Sequence, residues 1–345
     1  MQVRLAALAT RVPEHRFSQT EARTRAAALF ADAMPDVDRL LPLFDNAGIE
    51  WRYSAQSIAW HTEGHGFAVR NTSFIAAAEE LLTDAARTAI ARAGIEPDSV
   101  DAVVCVCSTG IATPSLDARI AERLGLRHDV ERTPLFGLGC AGGALGLSRG
   151  TALARANPGS RVLFLVVELC TLALRLSDRT KANLVACALF GDGAAAAILS
   201  TDLPGPRLGI SGEHRWNGTL EVMGWQVEDD GLGVLFSVKV PEIARQHTRA
   251  ATLAFLERHG LDYTAIDRFI CHPGGAKVVD ALERAYELEP GTLADARAVL
   301  RDYGNMSAAT VLFVLARTLR EPGWRRGLLT AMGPGFCAAY QMIER

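Results

Sequence analysis

The sequence predicts an α/β protein built from two related halves, and three observations support this prediction. Gly94 and Gly260 each precede a similar apolar strand, a spacing of 166 residues (260 − 94). Pro-Gly pairs at positions 158 and 322 stand before another pair of apolar strands, 164 residues apart (322 − 158). Strand-length apolar runs also alternate with helix-length amphipathic runs. Repetition at a nearly constant offset indicates two duplicated halves, each containing a βαβ unit.

Short continuous apolar runs predict buried strands, and apolar residues recurring every three or four positions predict helices. The predicted strands span 102–107, 161–167, 194–199, 268–272 and 328–332, and the predicted helices span 76–93, 116–124, 243–258 and 277–286. Two further helices begin at Cys140 and Asn305 and are rich in small apolar residues, which places them in the protein's centre. The glycine-rich segment 204–233 is predicted to be irregular and to join the halves, 1–203 and 204–345.

Composition excludes several classes of protein. The net charge of −3 and the absence of a basic cluster argue against a nucleic-acid partner. No apolar run is long enough to span a bilayer. Seven cysteines at irregular spacing suggest neither a disulfide framework nor a zinc site, and we expect a reducing, cytoplasmic setting. His61 and His65 are interpreted as loop residues, so no metal site is expected.

Cys140 is the strongest candidate for a functional residue. It lies in the stretch FGLGCAGG, where a glycine turn opens an apolar helix. Unpaired N–H groups and the helix dipole at such a start favour a thiolate, which is nucleophilic. A competing interpretation is that Gly137, Gly139 and Gly142 form a dinucleotide fingerprint followed by a strand ending at Glu168. That fingerprint usually lies in the first strand-helix unit, whereas here more than a hundred residues precede it.

His272 and Asn305 supply the two partners that such a nucleophile needs. His272 stands in the stretch CHPGG at the end of a predicted strand, and Asn305 stands in YGNMS at the start of a predicted helix. Residues far apart in sequence meet in space in most nucleophilic sites. The Cys140 and Asn305 helices are also equivalent in the two halves, so we expect them to lie close together.

Four motifs in order resemble the thiolase fold in its chalcone-synthase-like form, the type III polyketide synthases. They are Cys140 at a buried helix start, HPGG from His272, GNMS with Asn305, and the turn Gly333-Pro334-Gly335, and LFGDGAA around Phe190 is also similar to the family. The resemblance implies a layered αβαβα arrangement, a homodimer, acyl-CoA and malonyl-CoA as substrates, and no bound cofactor. The alternative is a priming ketoacyl synthase III, which typically has HQAN where this chain has HPGG.

The resemblance also assigns roles. Cys140 and His272 would form a thiolate–imidazolium pair, and His272 and Asn305 would donate hydrogen bonds to the enolate oxygen. Phe190 would be a gatekeeper, and the second gatekeeper phenylalanine of the family is replaced by Val234. Further cavity residues would be Cys170, Ala173, Thr113, Gly333, Pro334 and Gly335. Coenzyme A contacts would come from Arg52, Gly274, Gly275 and Ser307.

The expected starter is a medium or long aliphatic acyl group. Val234 in place of phenylalanine and the small Cys170 and Ala173 predict a narrow apolar channel beside Cys140. The segments around Trp225 and Asp230 are similar to bacterial members that make alkylpyrones or alkylresorcinols. The sequence does not indicate the number of extensions, the extender's methyl branching or the mode of cyclisation.

Overall fold

The computed structural model describes the whole chain, residues 1–345, as thirteen strands and twelve helices joined by loops and short 3₁₀ turns. The strands are β1 (Val3–Arg11), β2 (His15–Ser18), β3 (Trp51–Ser54), β4 (Ala102–Cys107), β5 (Glu131–Phe136), β6 (Arg161–Leu169), β7 (Asp192–Ser200), β8 (Arg207–Arg215), β9 (Met223–Glu228), β10 (Gly231–Phe236), β11 (Arg268–Cys271), β12 (Arg326–Gly333) and β13 (Cys337–Glu344). The helices are α1 (Gln19–Phe30), α2 (Val37–Leu40), α3 (Pro42–Asp45), α4 (Phe67–Ala93), α5 (Leu116–Leu124), α6 (Gly142–Ala156), α7 (Cys170–Ala173), α8 (Lys181–Leu189), α9 (Val240–Arg258), α10 (Ala276–Ala285), α11 (Ala294–Tyr303) and α12 (Thr310–Thr318). None of the helices is both long enough and apolar enough to cross a membrane.

Nine strands form one mixed sheet in the order β11-β12-β13-β8-β1-β7-β6-β4-β5. From the centre outward the second half contributes β8, β13, β12 and β11, and the first half contributes β1, β7, β6 and β4 in the equivalent order, with β5 as an additional edge strand. The halves meet where β1 and β8 pair over only two residues, Val3 with Leu208 and Arg4 with Arg207. The predicted α/β class and the repeated strand order are therefore both present in the structure.

Helices α6 and α12 occupy the middle of the protein and contact strands of both halves. Helix α4 packs on β1, β6 and β7, and α9 packs on α10 and β8. Strand β6 shows how the layers are specified, since Phe164 belongs to the central core and its neighbours Leu163 and Leu165 belong to the core beneath α4. Successive side chains point to opposite faces of a strand, so a continuous apolar run is buried on both sides.

The segment 204–233 is more regular than predicted. It contains β8, which continues the main sheet, and most of the separate antiparallel hairpin of β9 and β10. Its glycines fit strand packing: a Cβ atom on Gly212 would come within 2.9 Å of the Phe255 ring. Composition alone indicated a loop because these close contacts are tertiary. The predicted helix 76–93 begins later than the observed α4, which already starts at Phe67, whereas the predicted helix 116–124 coincides with α5.

Candidate active site

A tight turn places Cys140 at the start of α6. Strand β5 ends at Phe136, and Gly137 and Gly139 then adopt left-handed conformations with φ values of 87° and 46°. A side chain at Gly139 would also collide with Pro334, whose Cδ atom would lie 2.6 Å from the added Cβ. Glycine avoids both the backbone strain and the collision.

The predicted nucleophile and amide meet because α6 and α12 cross in backbone contact. A Cβ atom on Gly143 would lie 2.2 Å from the carbonyl oxygen of Ala308, so only glycine permits this approach. The crossing brings the 3₁₀ turn that holds Cys140 against the turn that opens α12. Cys140 Sγ lies 3.7 Å from Ser307 Oγ, and Asn305 also acts to lower the pKa of the thiol.

Asn305 makes hydrogen bonds to the segment after His272 and to the turn that contains Ser307. Its Nδ2 donates to the carbonyl oxygen of Gly274 at 3.2 Å, two residues after His272, and its Oδ1 accepts from the backbone N–H of Ser307 at 2.9 Å. Ser307 has a φ of 46°, which is uncommon for a residue with a side chain. Such conformations persist where the surroundings hold them and often mark functional sites.

His272 follows β11 and is buried, with no hydrogen-bond partner at either ring nitrogen. Burial lowers the pKa of His272 to about 4. Burial likewise raises the pKa of Cys140, which is 7% exposed, to about 12. These shifts favour a neutral thiol and a neutral imidazole, and no hydrogen bond joins the two side chains. The expected thiolate–imidazolium pair stays a prediction, and desolvation is the effect that it has to overcome.

Glu168 is a buried acid beside the site. The sequence analysis did not predict that it lies there. Its Oε2 accepts from the backbone N–H of Ser108 at 3.0 Å and from Thr109 Oγ1 at 2.9 Å, whereas Oε1 has no partner. Burial raises the pKa of Glu168 to about 8, and its charge in turn raises the pKa of Cys140. A lone acid at the end of an apolar strand was the available signal, and it was assigned to the dinucleotide alternative.

A cavity of about 40 Å³ adjoins Cys140. Of the predicted cavity residues, Cys170, Phe190, Val234 and Pro334 line it. The remaining wall comes mostly from the β9–β10 hairpin and includes Met223, Trp225, Leu235 and Phe236. Trp225 is fixed in place because its Nε1 donates to the carbonyl oxygen of Ser108 at 2.8 Å. The sequence did not indicate these wall residues because the hairpin's position over Cys140 is a tertiary feature.

Several other predicted positions lie elsewhere. Thr113 is exposed in a surface groove with Ile111 and Phe136, and Ala173 is buried outside the cavity. Gly333 packs against Ala141, where a Cβ atom would lie 2.6 Å away, so its role is in packing. Gly335 has a φ of 97° and completes the turn between β12 and β13.

The predicted coenzyme A contact of Arg52 is wrong as a surface contact. Arg52 is 2% exposed, and its Nη1 donates to the carbonyl oxygens of Cys187 and Phe190 at 2.6 and 3.0 Å. Ser307 lies beside Cys140 instead of at a tunnel mouth. Gly274 and Gly275 follow His272, and their contact with coenzyme A stays a prediction.

Comparisons with known proteins agree with this fold. The family profiles "Chalcone and stilbene synthases, N-terminal domain" and "Chalcone and stilbene synthases, C-terminal domain" match residues 60–203 and 215–342. The 1,3,6,8-tetrahydroxynaphthalene synthase of Streptomyces peucetius subsp. caesius is 38% identical, over 99% of this chain and 92% of its own. The type III polyketide synthase A of Arabidopsis thaliana is 31% identical, over 74% of this chain and 68% of its own.

The structure is similar to that of a bacterial type III polyketide synthase. The crystal structure of 1,3,6,8-tetrahydroxynaphthalene synthase from Streptomyces coelicolor A3(2) has a TM-score of 0.94 and 29% identity, covering 99% of each chain. The shared architecture is the thiolase-like α/β fold of acyltransferases. This chain belongs to the chalcone and stilbene synthase family, the type III polyketide synthases, which condense coenzyme A thioester starters with malonyl-CoA.

The neutral state of the free site predicts how Cys140 reacts with iodoacetamide. Because the thiolate fraction of a thiol with a pKa of about 12 rises tenfold per pH unit, the alkylation rate should rise about tenfold per unit from pH 7 to 10. The measurement is the mass of the Cys140 peptide after timed alkylation. A rate that is already constant between pH 6 and 9 would instead indicate a preformed thiolate–imidazolium pair.

Glu168→Gln provides the matched variant for this measurement. At pH 9 the wild-type carboxylate is ionised, so removing its charge should lower the pKa of Cys140 and speed alkylation. At pH 6 the carboxyl is neutral in the wild type, so the two proteins should react alike. An equal ratio of rates at both pH values would show that the charge of Glu168 does not reach Cys140.

Proposed function

We propose that Cys140, His272 and Asn305 carry out the family's condensation in this chain. The observation that supports this proposal best is the position of Asn305: its Nδ2 donates to the carbonyl oxygen of Gly274, two residues after His272, and its Oδ1 holds Ser307, whose hydroxyl lies 3.7 Å from Cys140 Sγ. Cys140 lines the small apolar cavity together with Ser307, whose backbone Asn305 holds. A thiol acceptor, a neutral base and an amide donor are the groups that thioester condensation requires.

In the first step the starter acyl group moves from coenzyme A to Cys140. The neutral imidazole of His272 accepts the thiol proton as sulfur attacks the thioester carbonyl, and the imidazolium then protonates the departing coenzyme A thiolate. Burial disfavours both ions of the pair, the Cys140 thiolate and the His272 imidazolium, in the free site. The ion pair therefore exists only when the substrate is in place, and the neutral imidazole returns at the end of the step.

In the second step malonyl-CoA loses CO₂ and leaves an enolate. The enolate oxygen accepts hydrogen bonds from the ring N–H of His272 and from Asn305 Nδ2, and the carbon attacks the Cys140 thioester. The Cys140 thiolate leaves and takes up a proton from solvent to return to the neutral thiol, and the acyl chain, now two carbons longer, is on coenzyme A. Phe190 lines the cavity and keeps this step in apolar surroundings, where a carboxylate is poorly solvated. Each oxyanion donor is typically worth about 3 kcal/mol in the transition state.

Three single substitutions separate the acylation step from the decarboxylation step. Cys140→Ala should abolish covalent acylation by acyl-CoA but retain decarboxylation of malonyl-CoA. His272→Ala and Asn305→Ala should reduce CO₂ release by about 10²–10³-fold, because each removes one donor to the enolate oxygen. Intact-protein mass and CO₂ release are the two measurements.

Cys105→Ala is the control for the first measurement, since Cys105 is also buried but lies outside the cavity. Circular dichroism of the His272 and Asn305 variants checks that they fold, because Asn305 also holds Ser307. An acylated Cys140→Ala protein would refute the assignment of the nucleophile. Unchanged CO₂ release in both other variants would refute the proposed oxyanion donors.

For the starter we propose a medium or long aliphatic acyl group, cyclised after extension to an alkylpyrone or alkylresorcinol. The support is the apolar wall beside Cys140, with Val234 and Cys170 as small members. Specific observations also favour a second candidate, malonyl-CoA as its own starter. The cavity is only about 40 Å³, and two of the similar proteins are named tetrahydroxynaphthalene synthases. An aliphatic starter therefore requires the β9–β10 hairpin to move outward.

Products formed from malonyl-CoA with a series of acyl-CoA starters distinguish the candidates. With an aliphatic starter, each buried methylene contributes about 0.8 kcal/mol, so kcat/KM should rise with chain length until the channel is full. Val234→Phe should then shorten the longest accepted starter. Preference for malonyl-CoA alone or for p-coumaroyl-CoA, or a chain-length profile that Val234→Phe leaves unchanged, would refute the aliphatic starter. The family assignment does not depend on this result.

We also propose that the protein is a homodimer. Strand β5 forms an edge of the main sheet, and beside it lie the exposed apolar side chains of Phe136 (58% exposed) and Ile111 (49% exposed) in the groove that contains Thr113. Exposed apolar patches and unpaired strand edges are typical of association surfaces. A two-fold axis would cover the same patch on both copies.

Light scattering at micromolar concentration should give about twice the 37.0 kDa mass of one chain. Phe136→Glu should shift the mass towards that of a single chain, because it buries a charge in the proposed interface. Val227→Glu is the control, since Val227 is 82% exposed and lies on the hairpin. A wild-type mass near 37.0 kDa would refute the dimer.

A further inference from the structure

A second cavity lies on the far side of Phe190 from Cys140. It has a volume of about 110 Å³ and is enclosed by α1, α8 and the segment around Trp60. Phe190 is the one residue that lines both this cavity and the smaller cavity beside Cys140. Much of the wall is apolar, with Phe17, Leu29, Ile58, Trp60, Leu174 and Leu176. The condensation proposed above uses none of these side chains except Phe190.

Arg52 lines this second cavity and has donors that nothing in the protein satisfies. Its Nη1 is used on backbone carbonyls, but Nε and Nη2 have no hydrogen-bond partner. Burial lowers the pKa of Arg52 only to about 10, so the guanidinium remains charged at neutral pH. A buried cation with unpartnered N–H groups is costly. An anion in the cavity would remove that cost.

No carboxylate of the protein fills this role. Asp192 is close enough to raise the pKa of Arg52, but its two oxygens accept from Ala55 and Thr171. Asp230 is paired with Arg175 at 2.5 Å. Arg70, also in the cavity wall, donates to backbone carbonyl oxygens, among them that of Leu174. The residues that line the cavity therefore carry an excess of positive charge, and the unpartnered donors among them include Nε and Nη2 of Arg52 and Nε of Arg70.

We propose that this second cavity binds the carboxylate of a small organic acid with an apolar body. The carboxylate accepts from Nε and Nη2 of Arg52, the two donors that match a carboxylate in parallel. The apolar body lies against Trp60 and Leu29. The volume is of the order of the about 150 Å³ apolar cavity that holds benzene, which limits the body to a few carbons. The carboxylate comes either from a free acid or from the acyl group of a dicarboxylic thioester.

Occupancy of this cavity would reach the condensation site through Phe190. Arg52 already holds the carbonyl oxygen of Phe190, and a ligand beside Arg52 would pack against that residue. Phe190 would then be restrained on one side by the ligand while its other side faces the cavity of Cys140. The site is distinct from the proposed condensation residues, so its existence does not depend on the starter or the product.

Isothermal titration calorimetry with sodium hexanoate tests the proposal, with hexanamide as the uncharged match. Hexanoate should bind once per chain, and hexanamide should bind at least about tenfold more weakly because it cannot form charge-assisted hydrogen bonds. Ala26→Phe should abolish hexanoate binding by filling the cavity, since Ala26 is a buried lining residue. Ala28→Phe, on the exposed face of the same helix, should leave binding unchanged.

Ile58→Trp fills the same space from a half-buried loop position if Ala26→Phe does not fold. Equal binding of hexanoate and hexanamide, absence of hexanoate binding, or full binding by the filled variants would each overturn the proposal.

Competition in the Cys140→Ala protein distinguishes the two sources of the carboxylate. Succinyl-CoA and butyryl-CoA differ by a carboxylate in place of a methyl group. Displacement of hexanoate by succinyl-CoA alone would support a thioester carboxylate, and displacement by neither would support a free acid. Equal displacement by both would assign the cavity to the coenzyme A arm and overturn the proposal.

Discussion

The backbone contact between α6 and α12 is the constraint on which the site depends. Gly143 of the first half lies against the carbonyl oxygen of Ala308 in the second, at a distance that no side chain permits. Van der Waals contact at this separation requires glycine at the crossing, and the surrounding core residues are small for the same reason. The crossing fixes the positions of the N-terminal ends of α6 and α12 relative to each other. The thiol of Cys140 and the amide of Asn305 are thereby held together by packing, and no direct bond between the two chain segments is needed.

Burial explains the electrostatic character of the same region. Cys140, His272 and Glu168 all have pKa values displaced towards the neutral form, and desolvation is the largest cause in each case. A site of this kind resists charge until a substrate brings its own dipoles and fixes a geometry in which two opposite charges touch. Chemistry that begins and ends with neutral side chains suits such surroundings, and it limits wasteful reaction of the thiol with other electrophiles.

The duplicated α/β plan could be predicted from the sequence, and so could the approach of the Cys140 turn to the Asn305 segment, because both leave local signals. Strand β6 is a continuous apolar run, and the glycines around Cys140 mark a close approach. The directions of the pKa shifts of Cys140 and His272 could not be predicted, since the motifs do not show how far the environment of each residue excludes water. The role of Arg52 was wrong for a related reason: a basic residue in an ordinary context carries no sign of burial. Trp225 and Phe236 were missed as wall residues because only the fold shows that the hairpin covers the site.

The β9–β10 hairpin forms much of the cavity wall separately from the helices that position Cys140 and Asn305. It forms a two-stranded ribbon outside the nine-stranded sheet, and it supplies much of the wall beside Cys140 while taking no part in the crossing of the central helices. Substitutions in the β9–β10 hairpin therefore change the shape of the cavity beside Cys140 without weakening the packing of α6 against α12. The shape of the cavity can therefore be altered through a short segment of the chain, while the helix crossing that positions Cys140 and Asn305 is left as it is.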